Sequence, residues 1–248
     1  MADLRLSDIA EATQLLTRLP VSGPRRDPRG GKAAWAYPLP GLLVGAIAAL
    51  IAAVSVAIGL GAPISAALVI ASMVLATGAL HEDGLADTAD GLWGGHSRDR
   101  RLEIMKDSRI GAYGVLALIL SVLLRWTAIT DLLESGHATG ALVTAAVLSR
   151  AAMPPAVSLV PFARQDGLAV SVGSVSAGSA VIAILIGVVS ALVFVDLPAL
   201  PAILVAAVTA FAILRIAKSK VGGITGDILG AAQQTSEIAV LCCLAALL

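Results

Sequence analysis

Charge is the scarcest feature of this chain. Only 14% of its 248 residues are Asp, Glu, Lys or Arg, against about 25% in an ordinary soluble domain. Hydrophobic residues make up 58% and aromatics 3%, with a mean hydropathy of +0.91. A soluble globule of this size needs polar surface to cover its core, and this chain does not supply it. Disorder is excluded as well, because it requires low hydrophobicity and high net charge. Charge of one sign is also missing. Lys plus Arg equals Asp plus Glu at 17 each, so no net field gathers nucleic acid. Cysteine is limited to Cys242 and Cys243, adjacent in an apolar run where disulfide geometry is hard to reach. They read as packing residues and carry no information about compartment. What remains is an all-α, polytopic membrane protein.

A helix needs roughly 20 apolar residues to cross a bilayer. The sequence predicts spans over Leu39–Leu60, Pro63–Leu80, Gly111–Leu133, Thr139–Val160, Gly178–Leu197 and Ala199–Ile216, with a seventh from near Asp227 to the end. They are rich in Ala, Gly and Ser, which suits close packing in lipid. Arg125 and Arg150 fall within spans and must face the bundle or a polar cavity. The connections at 59–64, 134–138 and 196–200 contain no Lys or Arg. The basic residues sit on the other side: Arg5, Arg18, Arg25, Arg26, Arg29 and Lys32; then Arg98, Arg100, Arg101, Lys106 and Arg109; then Arg164; then Arg215, Lys218 and Lys220. This alternation predicts a cytosolic amino terminus and an odd number of spans. Residues Leu4–Leu19 are amphipathic, with Asp8, Glu11 and Arg18 opposite the apolar face. The segment is read as an interfacial helix or as a helix packed on the cytosolic loops. The expected organisation is one integral membrane domain, with residues 1–38 as a cytosolic amphipathic and linker segment and 39–248 as the bundle.

One stretch breaks the apolar pattern: His81-Glu-Asp-Gly-Leu-Ala-Asp-Thr-Ala-Asp-Gly91. On a helix Asp83, Asp87 and Asp90 fall at i, i+4 and i+7, so three carboxylates share one stripe. Gly84 and Gly91 repeat beside it, leaving room for a phosphate to approach the backbone. A solvated acidic face is the plain alternative. In a chain so poor in charge, at the cytosolic end of a membrane helix, a site for Mg²⁺ or Mn²⁺ completed by substrate phosphates is the better reading. Glu82 points about 100° away from the stripe and is not expected to be a ligand. His81 reads as an interfacial residue, and His96 and His137 have no visible partners. Downstream, Lys106 and Arg109 are placed to clamp a diphosphate. The glycines around Gly223, Thr225 and Asp227 form the pattern of a phosphate-cradling loop. Together these features point to phosphoryl or nucleotidyl-diphosphate chemistry at a membrane surface.

Four ordered blocks resemble the cobalamin synthase family, the adenosylcobinamide-GDP ribazoletransferases. They are Leu16-Thr-Arg-Leu-Pro-Val21, His81-x-Asp-Gly-Leu-Ala-Asp-Thr-Ala-Asp-Gly91, Arg101-Leu-Glu-Ile-Met-Lys-Asp-Ser-Arg-Ile-Gly-Ala-Tyr-Gly114 and Gly222-Gly-Ile-Thr-Gly-Asp-Ile-Leu-Gly-Ala231. The resemblance implies a magnesium-dependent enzyme of the bacterial or archaeal inner membrane. It would transfer the cobinamide phosphate of adenosylcobinamide-GDP to α-ribazole or its 5′-phosphate, releasing GMP. On that basis Asp83, Asp87, Asp90 and Asp227 are assigned to Mg²⁺, and Asp90 is also the expected general base. Lys106 and Arg109 hold nonbridging oxygens, and Gly84, Gly91, Asp107, Gly223 and Thr225 bind substrate. Membrane lipid is an expected partner and nucleic acid is not. Two alternatives stay open: a CDP-alcohol phosphotransferase, whose signature begins like Asp87-x-x-Asp90-Gly91 but is not continued here, and a magnesium or ion transporter.

Overall fold

The computed structural model describes residues 4–22 and 28–248; the basic pair Arg25 and Arg26 lies outside them. Apart from one isolated backbone bridge, the secondary structure of the described residues is entirely helical. Six helices are long and apolar enough to cross a membrane, or seven crossings if a sharply bent pair is one span.

The first span is α2 (Pro38–Ala57), with proline in its opening turn, where the backbone N–H is unpaired anyway. It follows a short amino-terminal helix, α1 (Ser7–Leu16), and a 3₁₀ turn at Gly30–Ala36. Next come α3 (Ala62–Thr77) and α4 (Leu80–Gly94), which meet at 89°. The sequence pattern places the aspartate stripe on an extension of the second span. Instead, Gly78 and Ala79 both adopt left-handed backbone (φ +64° and +57°), and α4 leaves at a right angle. It therefore does not extend α3 along the same axis. The amino-terminal segment braces the corner: Arg18 N–H donates to Ala76 C=O at 2.7 Å, and a β-carbon on Gly78 would lie 2.6 Å from the Arg18 side chain.

Helix α5 (Arg98–Ile104) precedes α6 (Ala112–Glu134). The fourth span is α7 (Ala138–Ala151) continued by α8 (Met153–Leu159), with Pro154 and Pro155 in the first turn of α8. A short α9 (Leu168–Val172) leads to α10 (Ala177–Val195), α11 (Ala199–Val221) and α12 (Gly226–Leu247). The observed sixth span runs on to Val221, beyond the expected end at Ile216. The α7–α8 span and α12 are 72% and 67% buried, whereas α6 and α11 are only 28% and 22% buried, so the first pair forms the centre and the second faces lipid.

Helix α1 packs Ala12 and Leu16 into a core with Tyr37, Met153 and Ile228. Its carboxylates do not face water as the amphipathic pattern predicts. Asp8 is buried and accepts from Trp35 Nε1 at 2.7 Å, and Glu11 accepts from the backbone N–H groups of Arg29 and Gly30 at 2.8 and 2.7 Å. Both faces of α1 therefore pack on protein.

Candidate functional site

The basic loops meet at one end of the bundle. Arg98 Nε donates to Val221 C=O and Arg101 Nη1 to Lys220 C=O, both at 3.1 Å. These cations cap the carboxyl end of α11, where free carbonyls and the helix dipole favour positive charge. Lys220 reaches back to Leu92 C=O at 2.8 Å and lies 4.6 Å from the Trp93 ring centre. Thus α5 and α11 fix the outer end of α4.

The inner part of α4 crosses α12 backbone to backbone. A β-carbon on Gly84 would lie 2.8 Å from Asp227 O and 3.2 Å from Gly230 Cα. Gly84 is therefore filled by α12 and leaves no room for the phosphate approach expected there. Its role is to bring Asp83 and Asp87 beside Asp227. Gly91 is similarly closed, by Met105 and Arg101 C=O.

The loop after α8 completes the site. Ala163 N–H donates to Ile224 C=O at 2.8 Å and Ile224 N–H to Pro161 C=O at 2.9 Å. Gly223 has no space for a side chain against Pro161, so it serves this pairing rather than an open cradle. The pairing carries Arg164 to Asp227, with Nη2 3.3 Å from Oδ2. Thr225 caps α12: its hydroxyl accepts from Ile228 N–H at 3.3 Å and donates to Asp227 Oδ2 at 3.0 Å. A cavity of about 110 Å³ opens here, lined by Asp83, Asp227, Arg164, Leu16, Tyr37 and Met153 among others.

Asp87 is half-buried, and its carboxyl is pushed up to about 7, first by burial and then by Asp83, Asp227 and Asp90, against an opposing effect of Arg164. Three neighbouring carboxylates thus raise the cost of its charge, a setting that a bound cation relieves. Among the described residues no three carboxylate, imidazole or thiol groups are gathered closely enough to enclose a metal. Mg²⁺ characteristically takes one or two carboxylates and completes its shell with water and substrate phosphates. The hard oxygens of Asp83, Asp87 and Asp227 fit that donor set.

Asp90 departs from both expected roles. Gly111 N–H and Gly114 N–H donate to its two carboxylate oxygens at 2.7 and 2.9 Å, and a β-carbon on Gly111 would lie 2.5 Å from Oδ1. The carboxylate is buried and caps the amino terminus of α6. Lys106 and Arg109 are also engaged elsewhere. Lys106 pairs with Asp166, at the end of the Arg164 loop. Arg109 lies 2.7 Å from Asp107 and is exposed; that contact holds the Asp107 carboxyl down at about 2. Neither cation contacts the Asp83–Asp87–Asp227 group in this arrangement.

Glu82 turns into the bundle. It accepts from Arg125 Nη1 at 3.0 Å and from Gln234 Nε2 at 3.2 Å. Glu237 lies 3.8 Å from Arg125 and 3.4 Å from Arg150. Both arginines expected to face the interior are therefore buried in a charge-balanced cluster beneath α4. His81 is buried above it. His96 and His137 are exposed. Arg164 is the residue that sequence reasoning missed. Its signal was its position as the only cation between the fourth and fifth spans.

The family model described as cobalamin-5-phosphate synthase matches residues 8–245. The chain belongs to the cobalamin-5-phosphate synthase family. Among curated relatives, a Bradyrhizobium diazoefficiens protein named adenosylcobinamide-GDP ribazoletransferase is 46% identical over 239 residues, covering 95% of this chain and 92% of its own. A Rhizobium meliloti protein of the same name is 45% identical over 261 residues, covering 99% of each. No solved structure matches the chain. In this family member α4 and the Gly222–Ala231 block lie side by side in the helical bundle.

Proposed function

We propose that the chain is an adenosylcobinamide-GDP ribazoletransferase of the inner membrane. In this reading the cobinamide phosphate of adenosylcobinamide-GDP passes to α-ribazole or its 5′-phosphate and GMP is released. The names of its relatives support the activity. The observation that carries it is the approach of Asp83 and Asp87 on α4 to Asp227 on α12, with Arg164 alongside. The alternation of basic and neutral loops supports a cytosolic site and amino terminus. Neither lipid synthesis nor ion transport is favoured by the family match.

Asp83, Asp87 and Asp227 would hold Mg²⁺, which when bound supplies charge neutralisation on the diphosphate oxygens. Arg164 is placed to bind a nonbridging oxygen by charge-assisted hydrogen bonds. The acceptor hydroxyl attacks the phosphorus nearer cobinamide, a P–O bond forms, and the bond to the bridging oxygen breaks to release GMP. Asp87 is the carboxylate suited to accept the hydroxyl proton. Unlike Asp90 and Asp227, its carboxylate accepts no hydrogen bond from a described residue, which leaves an oxygen open to that proton. Asp90, with both oxygens accepting backbone N–H groups, is instead a positioning residue for α6.

The test is GMP release by the purified protein given adenosylcobinamide-GDP, α-ribazole and Mg²⁺. The reading expects release that depends on both the acceptor and Mg²⁺, and expects it to be abolished in Asp87→Asn. No release from the wild-type protein overturns it.

A further inference from the structure

A second cavity, of about 470 Å³, lies between the α7–α8 span, α10 and α11. Its α11 wall is one helical face: Ala206, Ala207, Ala210 and Phe211, then Arg215 and Lys218. The opposite wall is α8, which restarts after Ala151 with Pro154 and Pro155 in its first turn. α10 packs on α7 at the edge of the hollow through Gly187, where a β-carbon would lie 2.7 Å from the Ala151 methyl. The hollow is apolar along most of its length and cationic at one end. Phe211 is exposed, and α11 is the least buried of the spans, so the hollow adjoins the lipid-facing side.

Two cations, Arg215 and Lys218, line one end of this hollow. At this end of the bundle Arg98, Arg101 and Lys220 bind backbone carbonyls, and Lys106, Arg109 and Arg164 pair with carboxylates. The side chains of Arg215 and Lys218 have no hydrogen bond or ion pair to any described residue. They stand one turn apart on the rim of an apolar groove, near the end of a lipid-facing helix. Basic pockets of this kind between membrane helices take anionic headgroups, and long cationic side chains reach toward the interface to do so.

We propose that this groove is a binding site for one anionic phospholipid. An acyl chain lies along the alanines of α11 and α8, and the phosphate rests on Arg215 and Lys218. The site is separate from the carboxylates of α4 and α12, yet adjoins them through the chain. Val160 closes the groove, and the next residues, Pro161–Ala163, pair with Ile224 to present Arg164 to Asp227. An occupied groove therefore braces the loop that completes the carboxylate site.

The experiment is native mass spectrometry on the full chain purified in detergent, titrated with phosphatidylglycerol or with phosphatidylcholine of identical chains. Inorganic phosphate serves as a third arm. The wild-type protein is expected to retain phosphatidylglycerol in preference to phosphatidylcholine and to show no adduct with phosphate alone. A cation near the headgroup contributes roughly fivefold in affinity, so Arg215→Gln with Lys218→Gln should weaken phosphatidylglycerol binding about thirtyfold. Ala207→Trp, at an exposed position on the groove wall, fills the hollow while leaving both charges and should weaken binding of either lipid. Wild-type-like elution on size exclusion shows that each variant is folded, and both alter exposed side chains. Equal retention of the two lipids by the wild-type protein, undiminished phosphatidylglycerol binding in both variants, or a retained molecule that is not a phospholipid would each overturn the proposal.

Discussion

Replacing Glu82 by glutamine tests the buried cluster beneath the site. Glu82 and Glu237 face Arg125 and Arg150 with all four side chains at most 10% exposed, so the cluster is two charges against two. Glutamine keeps the shape and still accepts from Arg125 and Gln234, but it leaves one positive charge without its counterion inside the bundle. Removing one member of a buried pair costs about 3–5 kcal/mol. Because the hydrogen bonds survive, the low end of that range applies, and a chain of this size shifts its melting temperature by about 2–4 °C per kcal/mol. The expected drop is therefore about 6–12 °C, read as thermal unfolding in detergent. Glu82→Met combined with Arg125→Met removes both charges and should melt above Glu82→Gln, since apolar replacement of a whole buried pair is close to neutral. A change of less than about 2 °C in Glu82→Gln, or a double variant less stable than it, would refute the counterion argument.

Asp90→Ala strands two amide groups at the start of α6 and should cost about 2–4 kcal/mol, seen as a lower melting temperature with less change in turnover per folded molecule. Asp87→Asn should do the reverse, losing turnover while the melting temperature holds. In the metal-free protein the Asp87 carboxyl binds its proton more tightly folded than unfolded, with a folded pKa of about 7. Its contribution to stability is thus full below the unfolded value of about 4 and is lost as pH rises through about 7. The melting temperature should fall between pH 5 and 8, flatten in Asp87→Asn, and be raised more by Mg²⁺ at pH 8 than at pH 6. Gly84→Ala forces α12 away from α4 and should reduce turnover at least tenfold, whereas Gly94→Ala, with only the Ile104 side chain 3.9 Å away, should behave as wild type; equal turnover in the two would dismiss the crossing as the device that gathers the carboxylates.

The sequence made the architecture legible because lipid imposes a length and a polarity on every span. Five of the seven expected spans have bounds within three residues of the observed helices, and α12 begins at Gly226, beside the expected start at Asp227. The same reasoning required Arg125 and Arg150 to face inward, which they do, but it had no means of finding Glu237 as their shared partner: pairing across helices depends on rotation about each axis. Periodicity put Asp83, Asp87 and Asp90 on one stripe, and all three lie on α4. It could not distinguish a carboxylate aimed at Asp227 from one aimed at the first amides of α6. A helical stripe three residues further along faces a different neighbour once the next helix crosses it. The glycines mislead for a related reason. A glycine beside an aspartate looks like space for a phosphate, whereas Gly84 is space for another backbone, and that approach is what gathers carboxylates distant in sequence into one site. The right-angle turn at Gly78 and Ala79 matters in the same way. An aspartate stripe continuing α3 would have run on along the axis of that helix; turned by 89°, α4 can cross α12 and contact α5, α6 and α11. The site is thus produced less by the acidic residues than by the corner and the crossing that aim them.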